Sequence, residues 1–220
     1  MLASRMGHEA LVDWLLAEGA APSIQMGPQN QTAIHLALEH THMNCVHYLL
    51  ESEANPNLRD SLGRTPLHYT IHTDSNHFTT DTRRQAIELL IKHGANPNIT
   101  DLEGATPLHY SVIYNRTECI APLISLGANP DAQTYEYKLT PCHIALIEDL
   151  EDAMRALIAA GASPDIANAQ GWTVRTRMPK RWNIALDPAL ELPRKAEPIF
   201  STNATRLRKT QKVANSSTHS

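Results

Sequence analysis

Arg64-Thr65-Pro66-Leu67-His68-Tyr69 is the stretch that decides the fold, because the chain repeats it. Thr106-Pro107-Leu108-His109-Tyr110 is nearly the same string, Thr140-Pro141-Cys142-His143 is a third copy, and Thr32-Ala33-Ile34-His35 is a weaker fourth. A second string recurs between them: Gly94-Ala95-Asn96-Pro97-Asn98, Gly127-Ala128-Asn129-Pro130-Asp131 and Gly161-Ala162-Ser163-Pro164-Asp165. Degraded forms stand at Glu53-Ala54-Asn55-Pro56-Asn57 and Gly19-Ala20-Ala21-Pro22-Ser23. The threonines are spaced by 33, 41 and 34 residues, and the alanines of the second string by 34, 41, 33 and 34. Two unrelated strings with one shared spacing mark a repeated structural unit.

Local chemistry reads each unit as a pair of helices. Thr65 is suited to cap a helix, and Pro66 to occupy its first position, where a missing N–H costs nothing. Gly63 suits a turn that needs positive φ. The helices carry apolar faces, such as Leu11, Val12, Leu15 and Leu16 in the first unit and Cys45, Val46, Tyr48, Leu49 and Leu50 in the second. The string Ala54-Asn55-Pro56-Asn57 stops a helix with turn chemistry. Pro122 falls inside a second helix near its start, which predicts a late start or a kink.

This pattern resembles the ankyrin repeat, whose period is about 33 residues and whose signature is T-P-L-H-x-A. The resemblance covers residues 1–172. It implies an all-α solenoid of stacked helix-turn-helix units with β-hairpin loops and a disordered C-terminal tail. The units are 1–24, a truncated first repeat; then 25–58, 59–99, 100–133 and 134–167. A degenerate capping repeat follows at 168–192 and a basic disordered tail at 193–220. Met1 to His8 reads like the end of a first helix whose opening turn is missing, and the outer face of this unit is apolar where a terminal repeat needs a polar one. A longer array is therefore expected, and with it the alternative that the chain is the repeat segment of a larger enzyme or signalling receptor.

The 59–99 unit is longer by eight residues, around Thr73 to Asp81. These read as a polar inter-helix loop with an exposed Phe78, and Thr82-Arg83-Arg84-Gln85 reads as a capping box that restarts the second helix at Gln85. In the sixth unit Val174-Arg175-Thr176 stands where Pro-Leu-His would be. A short helix within Pro179 to Leu190 is expected to cover the end of the stack, through Trp182, Ile184, Ala185 and Leu186.

Charge divides the chain. Residues 1–171 carry 9 Lys+Arg against 20 Asp+Glu, a balance of −11, and residues 172–220 carry 10 against 3, a balance of +7. An acidic array is a poor ligand for phosphates, so nucleic acid is not an expected partner. No apolar run approaches the roughly 18 to 20 residues of a membrane span. Cys45, Cys119 and Cys142 are odd in number and fall at apolar helix positions, a reduced-compartment pattern. The expected location is cytoplasmic or nuclear, with Arg206, Arg208, Lys209 and Lys212 as a candidate import signal.

Chemistry-bearing groups were weighed against their repeat roles. The resemblance makes His35, His68, His109 and His143 turn-stabilising residues whose rings bond the neighbouring repeat, alongside the turn residues Thr65, Pro66, Thr106, Pro107, Thr140 and Pro141. His40, His42, Cys45 and His47 do not converge as zinc ligands must. Cys142 beside His143 is split between core and turn, so it is not read as a nucleophile and base. Glu148, Asp149, Glu151 and Asp152 read as a solvated turn. No catalytic or metal residue and no cofactor is assigned.

The expected function is non-enzymatic binding of another protein, by a monomer, through the concave groove. In the family, hairpin tips and the exposed side of the first helix line that groove. Carried over, the partner-binding candidates are Leu62, Arg64, Leu102, Glu103, Ile113, Tyr114, Tyr137, Leu139 and Trp172. Several are large and apolar, as at protein interfaces.

Overall fold

A computed structural model describes residues 1–73 and 78–184. Its helices come in pairs: α1 Leu2–Arg5 with α2 Glu9–Ala17, α3 Ala33–Glu39 with α4 Met43–Glu51, α5 Pro66–His72 with α6 Thr80–Lys92, α7 Pro107–Ile113 with α8 Ile120–Ser125, and α9 Pro141–Ile147 with α10 Glu151–Ala159. A short α11, Val174–Arg177, and a 3-10 turn, Lys180–Trp182, follow. The first helices pack in one row, α1 on α3, then α5, α7, α9 and α11, and the second helices in another, α2 on α4, then α6, α8 and α10. One core runs between the rows, from Val12 through Val46, Ile87 and Ile120 to Met154. No single pair can bury its apolar stripe alone, so the stack itself is the core.

Each capped first helix begins with the same device. The Nδ1 of His35, His68, His109 and His143 accepts the backbone N–H of Thr32, Thr65, Thr106 and Thr140 at 3.1 Å. This is a reciprocal capping box in which histidine takes the place of the usual Glu or Gln. Because Nδ1 accepts, the ring proton lies on Nε2. That nitrogen donates to the next repeat: His35 to the Arg64 carbonyl at 3.1 Å, His68 to Ala105 at 3.1 Å, His109 to Leu139 at 3.0 Å and His143 to Trp172 at 3.3 Å.

The hairpins between units are turns. Among the described residues the only β pairing is an isolated bridge, Met26 with Gln31. On the opposite side, asparagines link successive units: Asn57 Nδ2 donates to the Gly94 carbonyl at 2.8 Å, and Asn98 Nδ2 to Gly127 at 2.9 Å.

The extended unit differs from its sequence reading. The second helix starts at Thr80, not Gln85, and runs thirteen residues against nine in α2, α4 and α10. Thr79 caps it, its side chain accepting the Thr82 N–H at 3.2 Å. Phe78 is buried, not exposed. The Arg83 guanidinium lies 4.7 Å over its ring and donates to the carbonyls of Thr70, Ile71, Thr73 and Phe78. A cation thus closes the C-terminus of α5, where orphan carbonyls need donors. Pro122 is the third residue of α8, behind a 3-10 turn at Thr117–Cys119. Its missing N–H falls among the orphan donors of a late-starting helix.

At the far end, α11 forms directly on Thr173-Val174, and Trp182 is buried in the 3-10 turn. Ile184 packs against the core. Ala185, Leu186, the remainder of the 168–192 unit and the basic tail lie outside the described residues. At the near end, Leu2 and Trp14 are exposed, and Leu11 is 44% exposed where its equivalent one unit later, Cys45, is 0%.

Burial sets the acid behaviour. Desolvation lowers the pKa of His35 to about 4, of His68 and His72 to about 3, and of His109 to about 4. Their unfolded value is 6.5, so protons bind the unfolded chain preferentially. Their stabilisation is complete above pH 6.5 and is lost as pH falls toward 4, by about 2 kcal/mol per histidine between pH 7 and pH 5. The urea midpoint should therefore drop steeply between pH 7 and pH 5. A midpoint constant across that range would contradict the buried neutral histidines.

Candidate functional site

The hairpin tips form a ledge. Ser61 N–H donates to the Gln29 carbonyl at 2.8 Å, Leu102 to Leu62 at 3.0 Å, Tyr135 to Glu103 at 3.0 Å and Ala169 to Tyr137 at 2.9 Å. Gly63 has φ +80°, and a Cβ there would lie 2.8 Å from the Leu102 nitrogen. Gly104 is in the same position against Tyr135. Glycine is required at both because the next tip comes too close for a side chain. In the following hairpin Lys138 takes the positive φ, +53°, and no glycine is present.

The ledge brings some candidates together at the surface. Leu102 is 63% exposed, Glu103 is exposed beside it, and Leu62 is half-buried. Tyr137 is half-buried and rests on the core. Tyr114 is half-buried too, its ring 5.8 Å from that of Tyr110. Tyr135, 57% exposed, belongs to the ledge and was not among the sequence candidates. Its hydroxyl is 2.7 Å from that of Thr100.

Four candidates are corrected. Arg64 is 1%, Leu139 4% and Trp172 9% exposed. All three precede a Thr cap or its equivalent, and all three carbonyls accept the histidine of the preceding repeat. That bond draws them into the interface between repeats and out of the groove. Ile113 is 0% exposed because α7 is packed between α5 and α9.

A polar network fills the face between the middle units. Asp60 pairs with Arg64 at 2.7 Å. The Tyr69 hydroxyl donates to Asp60 at 2.9 Å and accepts from Arg64 at 2.9 Å and from the Gln31 amide at 2.9 Å. That same amide reaches Glu39 at 3.2 Å. Burial pushes the Asp60 carboxyl up, and the Arg64 guanidinium more than reverses this, leaving it below the usual carboxylate value. One unit on, the Tyr110 hydroxyl donates to Asp101 at 2.9 Å. Here burial raises the carboxyl, since no guanidinium pairs with it in place of Arg64. Tyr69, His72 and Tyr110 pack edge to face across the two units, and Tyr114 lies tilted against Tyr110.

The three cysteines are buried. Burial pushes the Cys119 and Cys142 thiols up to about 12 and raises that of Cys45. A buried thiol of this kind is a small hydrophobe rather than a nucleophile. His143, beside Cys142, has both ring nitrogens occupied. Among the described residues no three His, Cys, Asp or Glu converge as a metal site.

Comparison with known proteins points the same way as the fold. A family model described as ankyrin repeats (3 copies) matches residues 1–80 and again 77–168. Neurogenic locus notch homolog protein 1 of Homo sapiens is 33% identical over 66 residues, which is 30% of this chain and 3% of the relative. Neurogenic locus notch homolog protein 4 of Homo sapiens is 39% identical over 61 residues, 28% of this chain and 3% of that protein. The Neurogenic locus Notch protein of Drosophila melanogaster is 36% identical over 61 residues, 28% of this chain and 2% of that protein. The chain thus spans only a few hundredths of the length of these relatives.

The network and the ledge predict opposite sensitivities. Arg64→Leu leaves Asp60 buried and unpaired and should cost about 3–5 kcal/mol in urea denaturation. Leu102→Ser should cost within about 0.5 kcal/mol. Comparable small losses for both would contradict the division between network and surface.

Proposed function

We propose that this chain, which belongs to the ankyrin-repeat family, is a non-enzymatic module that binds another protein along its hairpin ledge and concave groove. Ankyrin repeats are protein-interaction modules, and the family is in general non-enzymatic. The observation that carries the reading is the ledge itself: Leu62, Leu102, Tyr135 and Tyr137 on successive tips, with exposed Glu103 bonded to Tyr135 among them. Apolar and aromatic side chains on a rigid support are the usual anchors of an interface. The network under them is satisfied in the folded state, so partner binding need not reorganise it. Partner capture is assigned to the monomer, in the cytoplasm or nucleus. The acidic balance of the array disfavours nucleic acid, and no described helix is long and apolar enough to cross a membrane.

A second reading places the chain as the repeat segment of a larger enzyme or receptor. Uncovered Leu2, Leu11 and Trp14 favour it, since the equivalent surface of the next unit is closed by a helix pair. An antibody against the array would then detect an endogenous species well above 24.4 kDa.

For the binding module, the purified chain is used to capture partners from lysate beside a Leu102→Ser/Tyr135→Ser variant of unchanged circular dichroism. A partner retained by the wild type and weakened at least about tenfold in the variant is expected, the size of effect seen at interface anchors. A partner held equally by both would contradict the ledge.

A further inference from the structure

We infer that the groove between the first two hairpins is an anchor pocket for an apolar side chain flanked by a lysine or arginine of the partner, an inference that rests on the interaction-module reading. The pocket has a volume of about 740 Å³ and is lined by Leu2, Met26, Pro28, Leu36, Glu39 and Leu62, among others.

Its origin is legible by register. Met26 opens its hairpin by pairing with Gln31 at 3.0 Å, as Asp60 pairs with Arg64 at 2.9 Å and Asp101 with Ala105 at 2.9 Å. Leu36 follows its capping threonine by four residues, as Tyr69 and Tyr110 follow theirs. In the middle units the Asp and the Tyr reach each other through a hydrogen bond and close the face. In the first hairpin the corresponding pair is Met26 and Leu36, neither of which has a polar group to bond the other. Met26 stays 58% exposed and Leu36 half-buried, and the space is open. Methionine is adaptable, which suits the wall of a site that accepts an apolar guest.

Charge selects what accompanies that guest. The network leading into the pocket holds one cation, Arg64, and two carboxylates, Asp60 and Glu39. Arg64 is taken by Asp60. Among the described residues Glu39, half-buried, accepts only from the neutral Gln31 amide. Arg5 also lines the pocket but is exposed, and among the described residues it makes no ion pair with Glu39. The array as a whole, residues 1–171, carries a balance of −11. A carboxylate lacking a cation, at the edge of an apolar hollow in an acidic array, complements an apolar residue with a basic neighbour.

The test is a phage-displayed library of random dodecapeptides panned on the full chain. The leading peptide is then synthesised and titrated by fluorescence anisotropy against four variants. The expected consensus places Leu, Met or Phe beside Lys or Arg. Met26→Asp/Leu36→Tyr rebuilds the closed pair of the middle units and should weaken the peptide at least about tenfold. Glu39→Gln, which preserves shape, should weaken it about three- to tenfold and reduce its salt dependence. The control Glu88→Gln, exposed on α6, should leave it unchanged. A consensus without a basic residue, an absence of enrichment, or equal binding by the first two variants would overturn the pocket. If the peptide is held by the first two variants and lost in Leu102→Ser, the pocket falls while the binding module stands.

Discussion

One imidazole per repeat holds the array in register. Its Nδ1 completes the N-cap of its own helix, and its Nε2 donates to the main chain of the next unit. Both bonds require a neutral ring in a single tautomer, which burial enforces by depressing the pKa. Without the second bond the helix pair would still be capped, but the cap itself would no longer be tied to its neighbour. Each bond also fixes the residue before the next threonine. Position in the repeat thus decides whether a side chain is available to a partner, since Arg64, Leu139 and Trp172 are committed to the interface by their own carbonyls.

The recognition face is graded as a result. In the middle units, Asp–Tyr pairs and an edge-to-face aromatic series occupy the space between first helices. There the tips alone offer apolar surface. In the first units the same positions hold Met26 and Leu36, and the face opens. The histidine cap and bridge recur from α3 to α9. What varies is how far each unit fills its own groove, and that is where specificity in such an array resides.

Much of this fold was readable from the residue order alone. Period, Thr caps and Pro at the first helical position all depend on local chemistry, and local chemistry is written in spacing. The late start at Pro122 is of the same kind. The bond of each histidine to the neighbouring repeat was implied by the ankyrin resemblance, and its part in the cap was not read. What escaped depended on neighbours remote in sequence. Phe78 looks exposed in a polar segment, but it joins the core with Arg83 over its ring and bonded to its carbonyl. Arg64 and Ile113 look like surface by family position, but one is taken by Asp60 and the other lies under packed helices. Tyr135 was missed because Lys138 stands in the positive-φ position of a hairpin without glycine, so the exposed tip lies earlier than the family pattern suggests. The depression of groove residues by a tyrosine–aspartate pair leaves a weak signal: Asp60 and Tyr69 share the spacing of Asp101 and Tyr110.

The most direct test of the histidine register is native-state hydrogen exchange on His109→Gln beside the wild type. In the wild type, amides of α3, α5, α7 and α9 should exchange with one common opening free energy, as a single cooperative unit does. In the variant, which keeps a cap acceptor but loses the bond to Leu139, α9 and α10 should open at a lower free energy than the units before them. A uniform loss across all helices, with no boundary after α8, would contradict the claim that the imidazole bridge couples one repeat to the next.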